Sequence, residues 1–196
     1  MNDRTIREAS ADDADRLALI GAATFLDAFA GVLEAEAIVR HCAAKHSADA
    51  YRAALANGGQ ALLAEAEPGH APVGFTLVGP PDLEAARDGD LELKRIYTLS
   101  RFHGTGLGGA LMDAVIARAN GFRRLVLGVY AQNHRALAFY RKRGFETICT
   151  RQFDVGGNLY DDEVLALNLS PLHSRESENP GLHAAPTNTG APRARG

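Results

Sequence analysis

The chain has 196 residues, 46% hydrophobic and 23% charged, with a formal net charge of −3 at pH 7. That length suits one domain with a full core, and the mild acidity excludes bulk electrostatic binding to nucleic acid. Tryptophan is absent and the eight Phe and five Tyr are scattered, so the chain offers no aromatic and basic stacking surface. Two cysteines, Cys42 and Cys149, are too few for a disulfide framework and lack metal-ligand spacing. No apolar run approaches the ~20 residues of a membrane span, and the first residues open no signal-peptide core. The expectation is a protein of the reduced cytoplasm with no membrane or nucleic-acid partner.

Taken in order, Thr5-Ile6-Arg7 reads as a short strand. Ser10 or Asp12 then caps a helix carrying Ala14, Leu17, Leu19, Ile20 and Phe25 near helical spacing. Two more helices are predicted at Glu34–Lys45 and Ala48–Ala56, closed by Asn57-Gly58-Gly59. Gln60–Ala66 and Val73–Val78 flank a Pro-Gly loop and suggest an antiparallel hairpin. Asp82–Asp90 reads as an exposed connection, and Leu91–Leu99 as the next strand.

The glycine-rich stretch His103-Gly104-Thr105-Gly106-Leu107-Gly108-Gly109 then leads into a helix predicted over Ala110–Ala119. Arg124–Val129 reads as a strand. A helix begins at Asn133 and stops at Gly144, and Phe145–Phe153 and Leu159–Leu167 form a last strand pair. Hairpin strands, then β-α-β-α, then more strands imply an α/β fold: a mixed, mostly antiparallel central sheet with helices on both faces. The folded domain is expected over residues 1–170. Residues 171–196, rich in Pro and poor in large apolar side chains, are expected to form a disordered tail.

A glycine turn from strand to helix lets backbone approach a ligand, and it offers free N–H groups at the positive end of a helix dipole. Gly104, Gly106 and Gly109 satisfy the G-x-G-x-x-G pattern literally. A dinucleotide site also needs an acid closing the next strand, and none follows Leu125–Val129. A P-loop needs Gly-Lys-Ser/Thr, which Gly108-Gly109-Ala110 lacks.

The stretch from His103 to Gly108 resembles the Q/R-x-x-G-x-G/A acetyl-CoA motif of the GNAT superfamily of N-acetyltransferases. A second block, Asn133-His134-Arg135-Ala136-Leu137-Ala138-Phe139-Tyr140-Arg141-Lys142-Arg143-Gly144-Phe145, is similar to its N-x-x-A-x-x-F-Y-x-x-x-G-F pattern. His103 departs from the usual Gln or Arg. Within the superfamily the chain looks closest to bacterial spermidine/spermine-type acetyltransferases, through Thr24–Phe29, Glu92–Tyr97 and Phe153–Asp162.

The resemblance implies acetyl-CoA as cosubstrate and no metal. It places the pantetheine arm along the backbone of Ile96, Tyr97 and Thr98. It places the pyrophosphate on His103, Gly104, Thr105, Gly106, Leu107, Gly108 and Gly109, with Asn133 a further contact as well as a helix cap. Leu91 and Leu93 share one strand face and Ile96 has the other parity, so either a bulge near Lys94-Arg95 or burial on both faces is expected.

Transfer from a thioester to an amine needs a proton for the leaving thiolate and a base for the amine. A phenol titrates at ~10 and a thiol at ~8.5, so a positioned phenol can share its proton with a departing thiolate. The superfamily match assigns that general acid to Tyr140. Glu92, 11 positions before His103, is the candidate base. Another base position used in the superfamily corresponds to Gly128, and Tyr130, His134 and water are fallbacks. His41, Cys42 and His46 do not share a helix face, which argues against a metal site. Asp27, Glu34, Glu36, Asp161 and Asp162 are acids that could line a polycation site. The expected function is an acetyl-CoA-dependent N-acetyltransferase acting on a small amine or polyamine by direct attack in a ternary complex. The alternatives are a CoA-binding sensor with little turnover and a peptide N-acetyltransferase. The residues leave the oligomer open, although a homodimer is common among look-alikes.

Overall fold

The computed structural model describes residues 4–169, and the tail expected at 171–196 lies outside the described residues. In chain order the elements are β1 (Arg4–Ala9), α1 (Ala14–Phe29), α2 (Ala35–Lys45), α3 (Ala48–Ala56), β2 (Gln60–Ala66) and β3 (Ala71–Gly79). There follow β4 (Asp90–Thr98), α4 (Leu107–Arg118), β5 (Arg124–Tyr130), α5 (His134–Lys142), β6 (Glu146–Val155) and β7 (Asn158–Asn168). The strands form one sheet in the order β1-β2-β3-β4-β5-β7-β6. Every neighbouring pair is antiparallel except β4 and β5.

That parallel pair shapes the molecule. It is closed by three rungs only, Asp90 to Arg124, Leu91 to Leu125 and Glu92 to Val126. Arg124 Nε donates to Asp90 Oδ1 at 2.9 Å and clamps this end. Beyond Glu92 the strands part, β4 running on to Thr98 and β5 to Tyr130, and a splay opens in the middle of the sheet.

Of the two arrangements expected for β4, a bulge or burial on both faces, the bulge is present. Leu77 faces Arg95 while Val78 faces Leu93, so Lys94 has no partner in the register. The extra residue returns Ile96 to the face of Leu91 and Leu93, and all three pack into one core with α4 and α5. Leu111 and Met112 of α4 and Leu125 of β5 are fully buried there, each worth about 1.5–3 kcal/mol of transfer free energy. On the other face Leu17 and Ile20 of α1 and Tyr51 of α3 cover Leu63, Phe75 and Leu77.

Glu65 on β2 fixes α1 over that face. Its carboxylate accepts from Arg7 on β1 and Arg16 on α1, both at 2.8 Å, and the guanidinium groups hold its pKa below the usual range. Ser10 and Asp13 form a capping box just before α1.

Two expectations need correction. The connection before β4 is not simply exposed: Leu83 is buried against Val126, Val164 and Ala166. Among the described residues the cluster there holds no helix side chain, and the loop covers that part of the sheet. The glycine-turn helix starts at Leu107 rather than Ala110, with Gly106 as its N-cap in the left-handed region at φ 85°. Gly108 and Gly109 are therefore helical.

Candidate active site

The splay brings the motif residues together from four elements. Along its near edge, Ile96, Tyr97 and Thr98 pair with β3 on one side and, among the described residues, carry no strand on the other. Their free backbone edge can accept an added strand. At the end of β4 the chain turns through His103, whose Nε2 lies 3.2 Å from the Thr98 carbonyl oxygen. Burial and the nearby Arg135 lower the pKa of this imidazole.

Gly104 and Gly106 both have positive φ, 76° and 85°, with nothing within 4 Å of where a side chain would begin. The turn thus offers an open face to which the N–H groups of the first turn of α4 contribute. Arg4 of β1 holds its far side through the hydroxyl and carbonyl of Thr105. Arg143, placed by sequence at the end of α5, lays its guanidinium beside Gly109, where a Cβ would lie 2.8 Å from Nη2. A cation therefore stands next to the glycine turn, a contact that the position of Arg143 in the chain does not reveal.

Asn133 caps α5, its Oδ1 accepting from the Ala136 N–H at 3.0 Å. One turn further, Tyr140 is buried at 8% exposure. Burial and the neighbouring Tyr97 raise its phenol above the usual range, so it keeps its proton. Its hydroxyl has no hydrogen-bond partner among the described residues.

Glu92 lies on the last closed rung, 7% exposed. Its Oε2 accepts from the Asp82 N–H at 2.7 Å and from Lys94 Nζ at 3.2 Å. This carboxylate is already engaged. Asp162 of β7 stands nearer the open end, paired with Tyr130 in register and 5% exposed. Burial raises its pKa, while Arg151, 3.3 Å away, opposes the rise. Asp27, one of the acids expected to line an acceptor site, instead accepts from the N–H and hydroxyl of Ser100. Glu34, Glu36 and Asp161 are exposed.

α1 and α2 meet β6 through a cluster of rings. Phe25 stacks on His41 at 4.2 Å between ring centroids, and His41 meets Phe153 of β6 edge-on. His46 lies 5.6 Å from His41. The spacing of five did not foretell this contact, because α2 ends at Lys45 and the chain turns back. Among the described residues no three His, Cys, Asp or Glu gather to hold a metal ion. No helix there is long and apolar enough to cross a membrane.

Residues 29–145 match the Acetyltransferase (GNAT) family. The chain belongs to the GNAT family. It is a GNAT N-acetyltransferase, and it is 35% identical over 159 residues to an uncharacterized N-acetyltransferase of Mycobacterium tuberculosis, covering 80% of this chain and 98% of the relative. The GNAT fold is shared with the PaiA N-acetyltransferase of Thermoplasma acidophilum, solved with coenzyme A (TM-score 0.68, 19% identity, 85% and 99% coverage). It is shared also with the ribosomal-protein-S18-alanine N-acetyltransferase of Escherichia coli (TM-score 0.64, 17% identity, 88% and 98% coverage).

Proposed function

We propose that this chain transfers an acetyl group from acetyl-CoA to a small primary amine, by direct attack within a ternary complex. The observation that carries the reading is the splay, with a free β4 edge and a glycine turn at one end and Tyr140 beside it. The residues present fit the cosubstrate. Gly104 and Gly106 leave the backbone open for a pyrophosphate, Arg143 supplies a nearby cation, and Ile96–Thr98 can pair with a pantetheine arm. When bound, acetyl-CoA supplies the thioester whose acyl carbon the amine attacks.

The chain's own groups divide the proton work. Tyr140, kept protonated by burial, is assigned to protonate the leaving sulfur as general acid. The amine must lose its proton before it attacks, since amines of the lysine type titrate near ~10.4. Glu92 was the expected acceptor of that proton, yet its Oε2 already takes two hydrogen bonds at the closed end of the splay. Asp162 suits the task better, because it lies on the acceptor side with a raised pKa and a long contact to Arg151. Glu92 is then the residue that holds the corner between Asp82, Lys94 and the last rung. Backbone N–H at the Lys94 bulge would polarise the thioester carbonyl.

A small acceptor is favoured over a peptide by the rings of Phe25, His41 and Phe153, which tie α1 and α2 to β6.

The test is free-thiol release from acetyl-CoA with spermidine, lysine derivatives, aminoglycosides and short peptides. Thiol release that requires an amine, with an acetylated product in the mass spectrum, is expected. Tight CoA binding with no amine-dependent release would overturn the reading in favour of a CoA sensor.

A further inference from the structure

The acceptor side of the splay carries two guanidinium groups and few counter-charges. Arg95 leaves β4 at the bulge, half-buried, with Cζ 5.6 Å from the centroid of the Tyr51 ring. Its neighbour Lys94 is paired with Asp82 and Glu92. No carboxylate and no hydrogen-bond acceptor reaches Arg95 among the described residues. Arg95 also lines a groove of about 380 Å³ beside α3, together with Lys45, Lys94 and Asp82, whose carboxylate is taken by Lys94. Across the splay Arg151 lies over Gly128, and Asp162 is its carboxylate partner.

The imidazoles near Arg95 add donors rather than negative charge. Burial, then the charge of Arg95, lowers His41 to about 4 and His46 to about 3, so both are neutral at pH 7. Tyr51 is 1% exposed, and its hydroxyl has His46 Nδ1 as its partner at 2.8 Å. A buried phenol must place its proton on an acceptor, so Tyr51 donates to Nδ1. The proton of the neutral His46 ring then sits on Nε2, which has no partner among the described residues although His46 is only 3% exposed. Around Arg95 and His46 the donors thus outnumber the acceptors. A polycation would bring still more donors, whereas a carboxylate brings acceptors alone and suits a planar guanidinium fork.

We propose that Arg95 forms a carboxylate subsite, and that the acceptor is a primary amine bearing its own carboxylate, an apolar α-amino acid in type, rather than a polyamine. The proposal rests on the acetyltransferase reading above. The ring cluster of Phe25, His46 and Tyr51 that leads to Arg95 suits an apolar side chain, and the positive surroundings favour the neutral form of the amine that attacks.

The test compares thiol-release kinetics on L-phenylalanine and L-methionine, on their two amides, and on spermidine. The free acids should exceed both the amides and spermidine in kcat/KM by about tenfold or more. Arg95→Met, which keeps the apolar stem, should abolish that preference by raising KM for the acids, and Arg95→Lys should restore part of it. CoA affinity measured by calorimetry reports whether each variant is folded. A preference for spermidine or the amides, or a preference for the acids that survives in both variants, would overturn the subsite and leave the acetyltransferase reading standing. No thiol release from any of these amines, or from the wider panel, would overturn both.

Discussion

The guanidinium of Arg151 occupies the space that a side chain at Gly128 would fill. A Cβ there would lie 2.6 Å from Nη2 and 3.0 Å from Cζ. The strand β5 thus gives up a side chain at the splay so that a cation from β6, two strands away, can lie across it.

Gly128→Ala must therefore move Arg151. The group displaced is the free end of a flexible side chain, so the fold should tolerate the change with less than about 1 kcal/mol of loss. Activity should not. With the guanidinium pushed from its seat between Phe153 and Asp162, KM for the amine should rise several-fold while CoA affinity holds. Steady-state kinetics with calorimetry of CoA binding would check both. Wild-type KM in the variant would show that the position of Arg151 is irrelevant to the acceptor.

The two carboxylates make opposite predictions. Asp162→Asn should lower kcat by about 100-fold, within the usual range for a general base, and should remove the acid limb of the pH–rate profile. That limb should lie above the ordinary carboxylate range, because burial raises the Asp162 pKa. Glu92→Gln weakens the contact with Lys94 and should lower thermal stability by about 1–2 kcal/mol, with kcat within a few-fold of wild type. A large kcat loss in Glu92→Gln with an unaltered Asp162→Asn would return the role to Glu92.

Much of the architecture was legible because local signals agreed. The parity of Leu91, Leu93 and Ile96 called for a bulge or for burial on both faces, and the register slips at Lys94. Asn133 read as a helix cap and is one. The acceptor side was not legible, because its meaning depends on neighbours far apart in the chain. Arg95, Gly128, Arg151 and Asp162 look like ordinary strand residues until the order β4-β5-β7-β6 sets them side by side. Leu83 was missed for a related reason: only the uncovered patch of sheet beneath it explains why a connection carries a buried leucine.

The buried histidines should make the fold sensitive to acid. His41 and His46 titrate at about 4 and about 3 in the folded chain, below the ~6.5 of an unfolded imidazole. Between those values the unfolded chain binds more protons than the folded one, so stability falls as the pH drops from about 6.5 toward 4. Urea midpoints measured from pH 7.5 to 4.5 should show this slope. His41→Gln should reduce it by as much as one proton's share, about 1.4 kcal/mol per pH unit. Identical slopes in the two proteins would mean that His41 is not held neutral.

Gly106 isolates the backbone requirement of the glycine turn. Nothing stands within 4 Å of its missing Cβ, so Gly106→Ala meets no clash and pays only for holding φ at 85°. That strain is about 1–2 kcal/mol. The turn should relax instead, weakening CoA binding by about tenfold or more in calorimetry. Unchanged affinity would show that the helix N-terminus does not contribute to the phosphate site.

The most direct test of the central claim, that the splay between β4 and β5 is an acetyl-transfer centre with Tyr140 as its acid, is the kinetics of Tyr140→Phe. The ring and its packing against Phe139 and Phe145 are kept, and only the hydroxyl is lost. The account predicts a kcat at least about 100-fold lower, with the Kd for CoA within about twofold of wild type. A variant that turns over at the wild-type rate would contradict it.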